Sequence, residues 1–228
     1  MTIISQWGVS FLWATLTTLS IAVCGFALGL VVGSAGATAQ ISGGPLARRI
    51  AETYTIVFRG IPELLVIYLI YFGSSSVLAP LSKLFGGSGF VSIPSFLAGC
   101  LAIGIVSGAY QTEVLRGGFR NIPRGELEAA LASGMSRRTR FLRIIAPLTA
   151  RYAIHGIANV WQLVLKDTAL VSVIGLVELI RMAEIGSGST RDPFTFFTLV
   201  AGIFMLVSAA SEIVFKNIRV HLLRGMKP

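Results

Sequence analysis

Phe11 to Gly33 is an unbroken run of 23 residues without a formal charge. As a helix rising ~1.5 Å per residue it reaches about 34 Å, enough to cross a hydrocarbon core of ~30 Å. Within it Gly25, Gly29 and Gly33 recur at every fourth position. That spacing bares backbone along one helix face, so another helix can approach closely where lipid supplies no hydrophobic drive for association. The rest of the chain is of the same kind: 54% of its 228 residues are apolar and 13% charged. A multi-span, all-α membrane protein is therefore expected, as a single domain.

Further spans follow in order. Tyr54 to Gly73 is apolar but interrupted by Arg59, Pro62 and Glu63, which predicts a kink or an unwound entry at that point. Pro94 to Leu115 forms a third span, with Gly104 and Gly108 one turn apart; Leu148 to Leu165 forms a fourth and Phe194 to Val214 a fifth. The Gly/Ser-rich residues 34–50 and 74–93 read as connections. Residues 166–193 are ambiguous: Glu178, Arg181 and Glu184 at i, i+3, i+6 predict a polar face opposite an apolar one, as in an interfacial or cavity-lining helix. The first ten residues carry no Lys or Arg, so the first span is expected to be retained rather than cleaved as a signal peptide.

The charge of +9 reflects topology rather than nucleic-acid binding, since the basic residues fall between apolar runs with no aromatic-interleaved basic surface. With the C-terminus inside, the inner loops hold Arg48, Arg49, the seven arginines from Arg116 to Arg143, Lys216, Arg219, Arg224 and Lys227. The outer segments hold Lys83, Arg181 and Arg191. Thirteen against three is a positive-inside bias that places the C-terminus in the cytoplasm and, with five spans, the N-terminus in the periplasm. Cys24 and Cys100 both lie in apolar runs and imply neither a disulfide framework nor a metal site.

The longest inner loop includes residues 123–147, which carry five arginines. Pro123 suits a helix start, and Leu127, Ala130, Leu131 and Gly134 share one small, apolar face. Gly134 can adopt the left-handed conformation that ends this helix. Ser136 can cap a second one, with Phe141, Ile144, Ile145 and Leu148 on a common face until Pro147 disturbs it. Two short helices joined at a glycine make a rigid knob suited to docking in another protein's groove. For the half carrying Arg137, Arg138, Arg140 and Arg143, contact with anionic lipid is an equal alternative.

Glu128-Ala129-Ala130, three residues, Gly134, nine residues and then Ile144-Ile145-Ala146-Pro147 resemble the EAA loop of type I ABC importer permeases, with Ala146 in place of the usual Leu. "FRGIPELLVIYLIYFG", "GAYQTEVLRGGF" and "KDTALVSVIGLVEL" resemble the polar amino acid branch, in particular the Q-type subunits of histidine, lysine-arginine-ornithine and opine permeases. The resemblance covers nearly the whole chain. It implies a transport domain over about 11–214, a coupling loop over about 121–147, and a cytoplasmic tail at 215–228.

The same resemblance implies a bacterial inner-membrane subunit whose loop sits on a cytoplasmic ABC ATPase dimer through Glu128, Ala129, Ala130, Leu131, Gly134 and Met135. It also implies a second homologous permease subunit, in a heterodimer or alternatively a homodimer, and a periplasmic solute-binding protein. The chain has no GxxxxGK[ST] phosphate loop. No cofactor or metal is expected in it, ATP and Mg being bound by the partner, so it is a transport subunit rather than an enzyme. Lipids and an amino acid substrate are its remaining expected partners.

Ionisable groups within spans cost on the order of 2.5–3.5 kcal/mol each on insertion scales, so they are expected to face a cavity or the bundle interior. Arg59, Glu63, Glu113, Arg151, His155, Lys166, Asp167 and Glu212 are such groups. Candidate substrate ligands are Arg59 for a carboxylate, and Tyr110, Gln111, Glu113, Gln162 and Asp167 for a polar, cationic end. Glu113 could instead pair with Arg116, and Lys166 with Asp167. His155 reads as a packed histidine in preference to a proton relay. The leading function is import of a polar, basic amino acid or a conjugate such as an opine, driven by a partner's ATP hydrolysis. The alternative is an ion-coupled secondary transporter.

Overall fold

The computed structural model describes residues 3–84 and 93–223. Helix α1 (Ile3–Ser42) is followed by α2 (Pro45–Gly60), α3 (Glu63–Leu84) and α4 (Ser95–Arg120). Two short helices, α5 (Arg124–Ala132) and α6 (Arg137–Arg140), lead through a π-helical turn (Phe141–Ile145) into α7 (Ala146–Asp167). A 3-10 segment (Thr168–Ile174), α8 (Leu179–Thr190) and α9 (Pro193–Leu223) complete the described chain. Among the described residues four helical segments are long and apolar enough to cross a membrane; α2 and α3 meet the same test as a pair bent by 105°, and taken as one crossing they make five.

The glycine stripe of α1 lies against α4. A methyl group on Gly33 would stand 2.7 Å from Gln111 Cβ and 3.1 Å from the carbonyl oxygen of Gly108. One on Gly104 would meet Leu28 at 2.5 Å, so small residues on both helices let the backbones close up. Polar groups add directional contacts inside the seam. Thr112 Oγ1 donates to Gly33 O at 3.4 Å, and Gln111 Nε2 to Phe26 O at 3.2 Å. α1 and α4 run parallel, because Gly25 faces Ile103 while Gly36 faces Thr112. α7 runs antiparallel to α4, with Gly156 against Val114 and Gly118 against Ala153. The apolar core gathers Ile21, Ile67, Val106, Trp161, Leu165 and Val171 from these helices.

The helices outrun the spans expected for them. α1 continues from Gly33 to Ser42, because Gly36 still abuts Thr112 and Gln40 Nε2 donates to Ala51 O at 3.1 Å, which ties the helix end to α2. The connection expected at 34–50 therefore shrinks to Gly43 and Gly44. Of the loop expected at 74–93, the part through Leu84 is helical, and residues 85–92 lie outside the described residues. α9 extends into the expected tail as far as Leu223, while Arg224 to Pro228 lie outside the described residues.

Two local expectations need correction. Pro147 does not end a helix, since α6, the π turn and α7 run on as one segment. The five-residue π turn just before it shifts the hydrogen-bond register, with the Ala146 N–H reaching Phe141 O, and Pro147, which has no N–H to give, sits in the first turn of α7. Glu178 does not lie on a polar face. It is fully buried and caps α8, accepting hydrogen bonds from the N–H groups of Ile180 and Arg181 at 2.9 Å each. Arg181 and Glu184 do lie outward, paired at 2.7 Å.

Candidate functional site

The break between α2 and α3 sits at Ile61-Pro62, where the ring of Pro62 keeps the preceding residue out of the helical region; Ile61 has φ −92° and ψ 137°. The turn carries Arg59 at the end of α2 and Glu63 at the start of α3 to the flank of α4. There the Arg59 guanidinium lies over the ring of Tyr110, with Cζ 5.6 Å from its centroid. The Tyr110 hydroxyl donates to Glu63 Oε1 at 3.5 Å. Asp167, the last residue of α7, shares a small cavity with Glu63, walled by Ile67, Ala102, Ile103 and Val106. That cavity of about 10 Å³ has room for a single water. Arg59 is exposed, and Glu63, Tyr110 and Asp167 are half-buried, so the cluster opens outward from an apolar wall.

Arg59, Tyr110 and Asp167 thus come together, and Glu63, which the sequence marks only as a costly ionisable group, joins them. The other candidates are engaged elsewhere. Gln111 is buried in the α1–α4 seam, Gln162 Nε2 donates to Ser208 O at 3.3 Å on α9, and Glu113 forms an ion pair with Arg116. His155 is exposed on α7. The signal that singles out Glu63 is its place directly after Pro62, since a proline break frees the first N–H groups of the next helix and turns the adjacent side chains into whatever the bend lines.

The knob is built as a helix, a left-handed glycine and a capped helix. Gly134 has φ +69°, and the N–H of Met135 reaches Ala130 O at 3.3 Å while that of Gly134 reaches Leu131 O at 3.0 Å, the paired bonds of a Schellman ending. Ser136 Oγ then accepts from the Thr139 N–H at 3.2 Å. Glu128, Ala129 and Leu131 are exposed and Ala130 is buried, so α5 presents the Glu128 carboxylate beside small and apolar groups, with Arg124 and Glu126 also exposed in its first turn. Among the described residues Glu128 has no ion-pair partner.

Residues 25–222 match the family described as binding-protein-dependent transport system inner membrane component. The chain belongs to that family of transport permeases. An octopine transport system permease protein, OccQ of Rhizobium radiobacter, is 52% identical over 221 residues, covering 97% of this chain and 93% of the relative. A histidine/lysine/arginine/ornithine transport system permease protein, HisQ of Escherichia coli, is 38% identical over 196 residues, covering 86% and 85%. The crystal structure of an amino acid ABC transporter with histidines superposes with a TM-score of 0.81 at 27% identity, covering 97% of this permease and 100% of that chain. This permease is accordingly a multi-pass inner-membrane subunit of an ABC-type importer, a transport chain and not an enzyme.

Proposed function

We propose that this permease passes a polar, cationic amino acid or an amino-acid conjugate such as an opine inward, and that Arg59, Glu63, Tyr110 and Asp167 are its points of contact with the substrate. The observation that carries the reading is the cluster itself: one guanidinium and two carboxylates gathered at a broken span against an apolar wall. Such groups are costly in a membrane unless a ligand or a cavity uses them. Arg59 suits the substrate carboxylate, and Glu63 with Asp167 suits an ammonium or guanidinium, the second carboxylate matching the extra positive charge of a basic side chain. The names of the relatives, octopine in one case and histidine, lysine, arginine and ornithine in the other, fit that charge pattern.

Power comes, in this reading, from a cytoplasmic ATPase dimer docked on α5 and the turn that follows it through Glu128, Ala129, Ala130, Leu131, Gly134 and Met135. The arginine-rich end then faces the cytoplasm and the N-terminus the periplasm, where a solute-binding protein delivers substrate. A second homologous permease subunit completes the path, and α9, with Met205, Leu206 and Ile213 exposed, offers it an apolar face.

The test is uptake of labelled arginine and octopine by proteoliposomes holding the whole transporter, with ATP inside the compartment that bears the ATPase. Uptake is expected to survive an uncoupler and to stop without ATP. Asp167→Asn and Glu63→Gln are expected to lower it severely while the complex still assembles, and Glu113→Gln to leave most of it. Uptake that collapses with the proton gradient while ATP persists would establish ion coupling instead. Wild-type uptake in both cluster variants would remove them from the substrate path.

A further inference from the structure

Where α1, α4 and α7 meet at the arginine-rich end they enclose a cavity of about 590 Å³, within the size range of small-molecule sites and separate from the Arg59 cluster. Its walls are largely apolar, formed by Ala37 and Ile41 of α1, Leu115 and Phe119 of α4, and Phe141 and Ile145 of the π turn. Two guanidiniums, Arg137 and Arg140, line it as well. Arg137 is exposed and Arg140 half-buried, which sets the charge toward the mouth. Elsewhere at this end Arg48 pairs with Glu52 and Arg116 with Glu113, but among the described residues neither Arg137 nor Arg140 has an ion-pair partner. Thr149 also lines the cavity, and its hydroxyl oxygen is buried with no hydrogen-bond partner among the described residues. A buried hydroxyl without a partner is unfavourable unless something absent from the chain supplies one.

A hydrocarbon-lined slot with two unpaired guanidiniums and an orphan hydroxyl matches a molecule with an anionic head and an apolar tail. We infer that the cavity holds an anionic phospholipid of the cytoplasmic leaflet, its phosphate between Arg137 and Arg140, one acyl chain along Leu115, Phe119 and Ile145, and an ester oxygen accepting from Thr149. The leaflet rests on the orientation proposed above; the chemistry of the occupant does not. Charge complementarity selects anionic over zwitterionic lipid, because basic groups near a membrane surface attract an anionic head. The apolar wall selects lipid over free phosphate, which has nothing to place there. The π turn supplies two of the wall residues, as expected where an irregular turn is kept inside a helix at a working site.

The whole transporter, ATPase included, would be purified in detergent, stripped of lipid, and titrated separately with phosphatidylglycerol, with phosphatidylcholine of the same chain length and with inorganic phosphate. Melting temperature and the lipid retained in native mass spectrometry are the readouts. Phosphatidylglycerol is expected to be retained and to raise the melting temperature, and the other two are not. The double variant Arg137→Ala/Arg140→Ala is expected to weaken phosphatidylglycerol by about tenfold or more. Arg138→Ala/Arg143→Ala, which removes the same charge from residues that do not line the cavity, should weaken it by a markedly smaller factor. Thr149→Val should weaken it with no change of charge. Equal response to phosphatidylcholine or to phosphate, equal loss in both arginine pairs, or no lipid retained by the whole transporter would each overturn the assignment. Orientation is read separately: a Ser133→Cys residue labelled by a membrane-impermeant maleimide from the periplasmic side of intact cells would reverse the leaflet and leave the lipid titrations as they are.

Discussion

Glu178 lies between the crossings formed by α7 and α9, fully buried, with its carboxylate spent on the first N–H groups of α8. Burial pushes its carboxyl up from 4.5 to about 7, outweighing the hydrogen bonds from Ile180 and Arg181 that favour the ionised form. Between those two values the unfolded chain has released the proton and the folded chain still holds it. Folding therefore takes up a proton in this window, and stability from this group is greatest below about pH 4.5 and declines as pH rises toward about 7. The melting temperature of the detergent-purified protein is expected to fall from pH 5 to pH 7.5 and to fall less in Glu178→Gln, whose amide oxygen can still cap the helix. Parallel pH profiles for the two proteins would show that this carboxyl does not titrate in the window. Its neighbour Thr18 holds the same turn from another side, accepting from the Leu179 N–H at 3.2 Å, and ties α8 to α1.

At the scale of elements the α1–α4 seam is the most exacting contact, because backbone meets backbone there. Gly33→Val would thrust a β-carbon to 2.7 Å from Gln111 Cβ and 3.1 Å from the Gly108 carbonyl, neither of which is the free end of a flexible chain. The expected loss is about 1–3 kcal/mol, the usual cost of overpacking, read as a lower melting temperature, with Gly8→Ala, which meets nothing within 4 Å, as the neutral control. A Gly33→Val protein as stable as the control would mean that the two helices separate freely. This seam was legible in the sequence, since a four-residue glycine period marks one helix face whatever its partner is. The 105° break was legible for the same reason: Pro62 constrains Ile61 locally. Helix ends were not, because α1 past Gly33 is held by Thr112 and by Ala51, contacts that lie far away in sequence. The π turn left no local signal, so Pro147 read as a disturbance of the helix, with nothing to show that the chain stays helical through it. Of the site, charge cost in a membrane pointed to Arg59 and Asp167, but composition does not say which neighbour a polar group bonds. That is why the sequence could not separate Tyr110, which meets Arg59 and Glu63, from Gln111, Gln162 and Glu113, which bond elsewhere.

Across the whole molecule the helical stretch from Arg137 to Ile174 joins the two proposed sites. It begins at the knob, passes the cavity lined by Arg137 and Arg140 and carries Asp167 near its far end, so a displacement of the knob by an ATPase docked as proposed would reach the Arg59 cluster along one nearly continuous rod. The rod transmits only if the knob keeps its shape, and that shape depends on Gly134 at φ +69°. An L-residue there costs roughly 1–2 kcal/mol, least for Asn and most for a β-branched side chain. Gly134→Asn is therefore expected to retain most ATP-driven uptake, and Gly134→Val to lose most of it. Glu128→Lys, which reverses one of the three exposed charges of α5 without touching the turn, is expected to weaken ATPase co-purification with the fold intact. Uptake by proteoliposomes and ATPase recovered with the purified permease measure the three side by side. Equal activity in Gly134→Asn and Gly134→Val would show that the left-handed turn does not matter to coupling, and full ATPase recovery with Glu128→Lys would move the docking surface off α5.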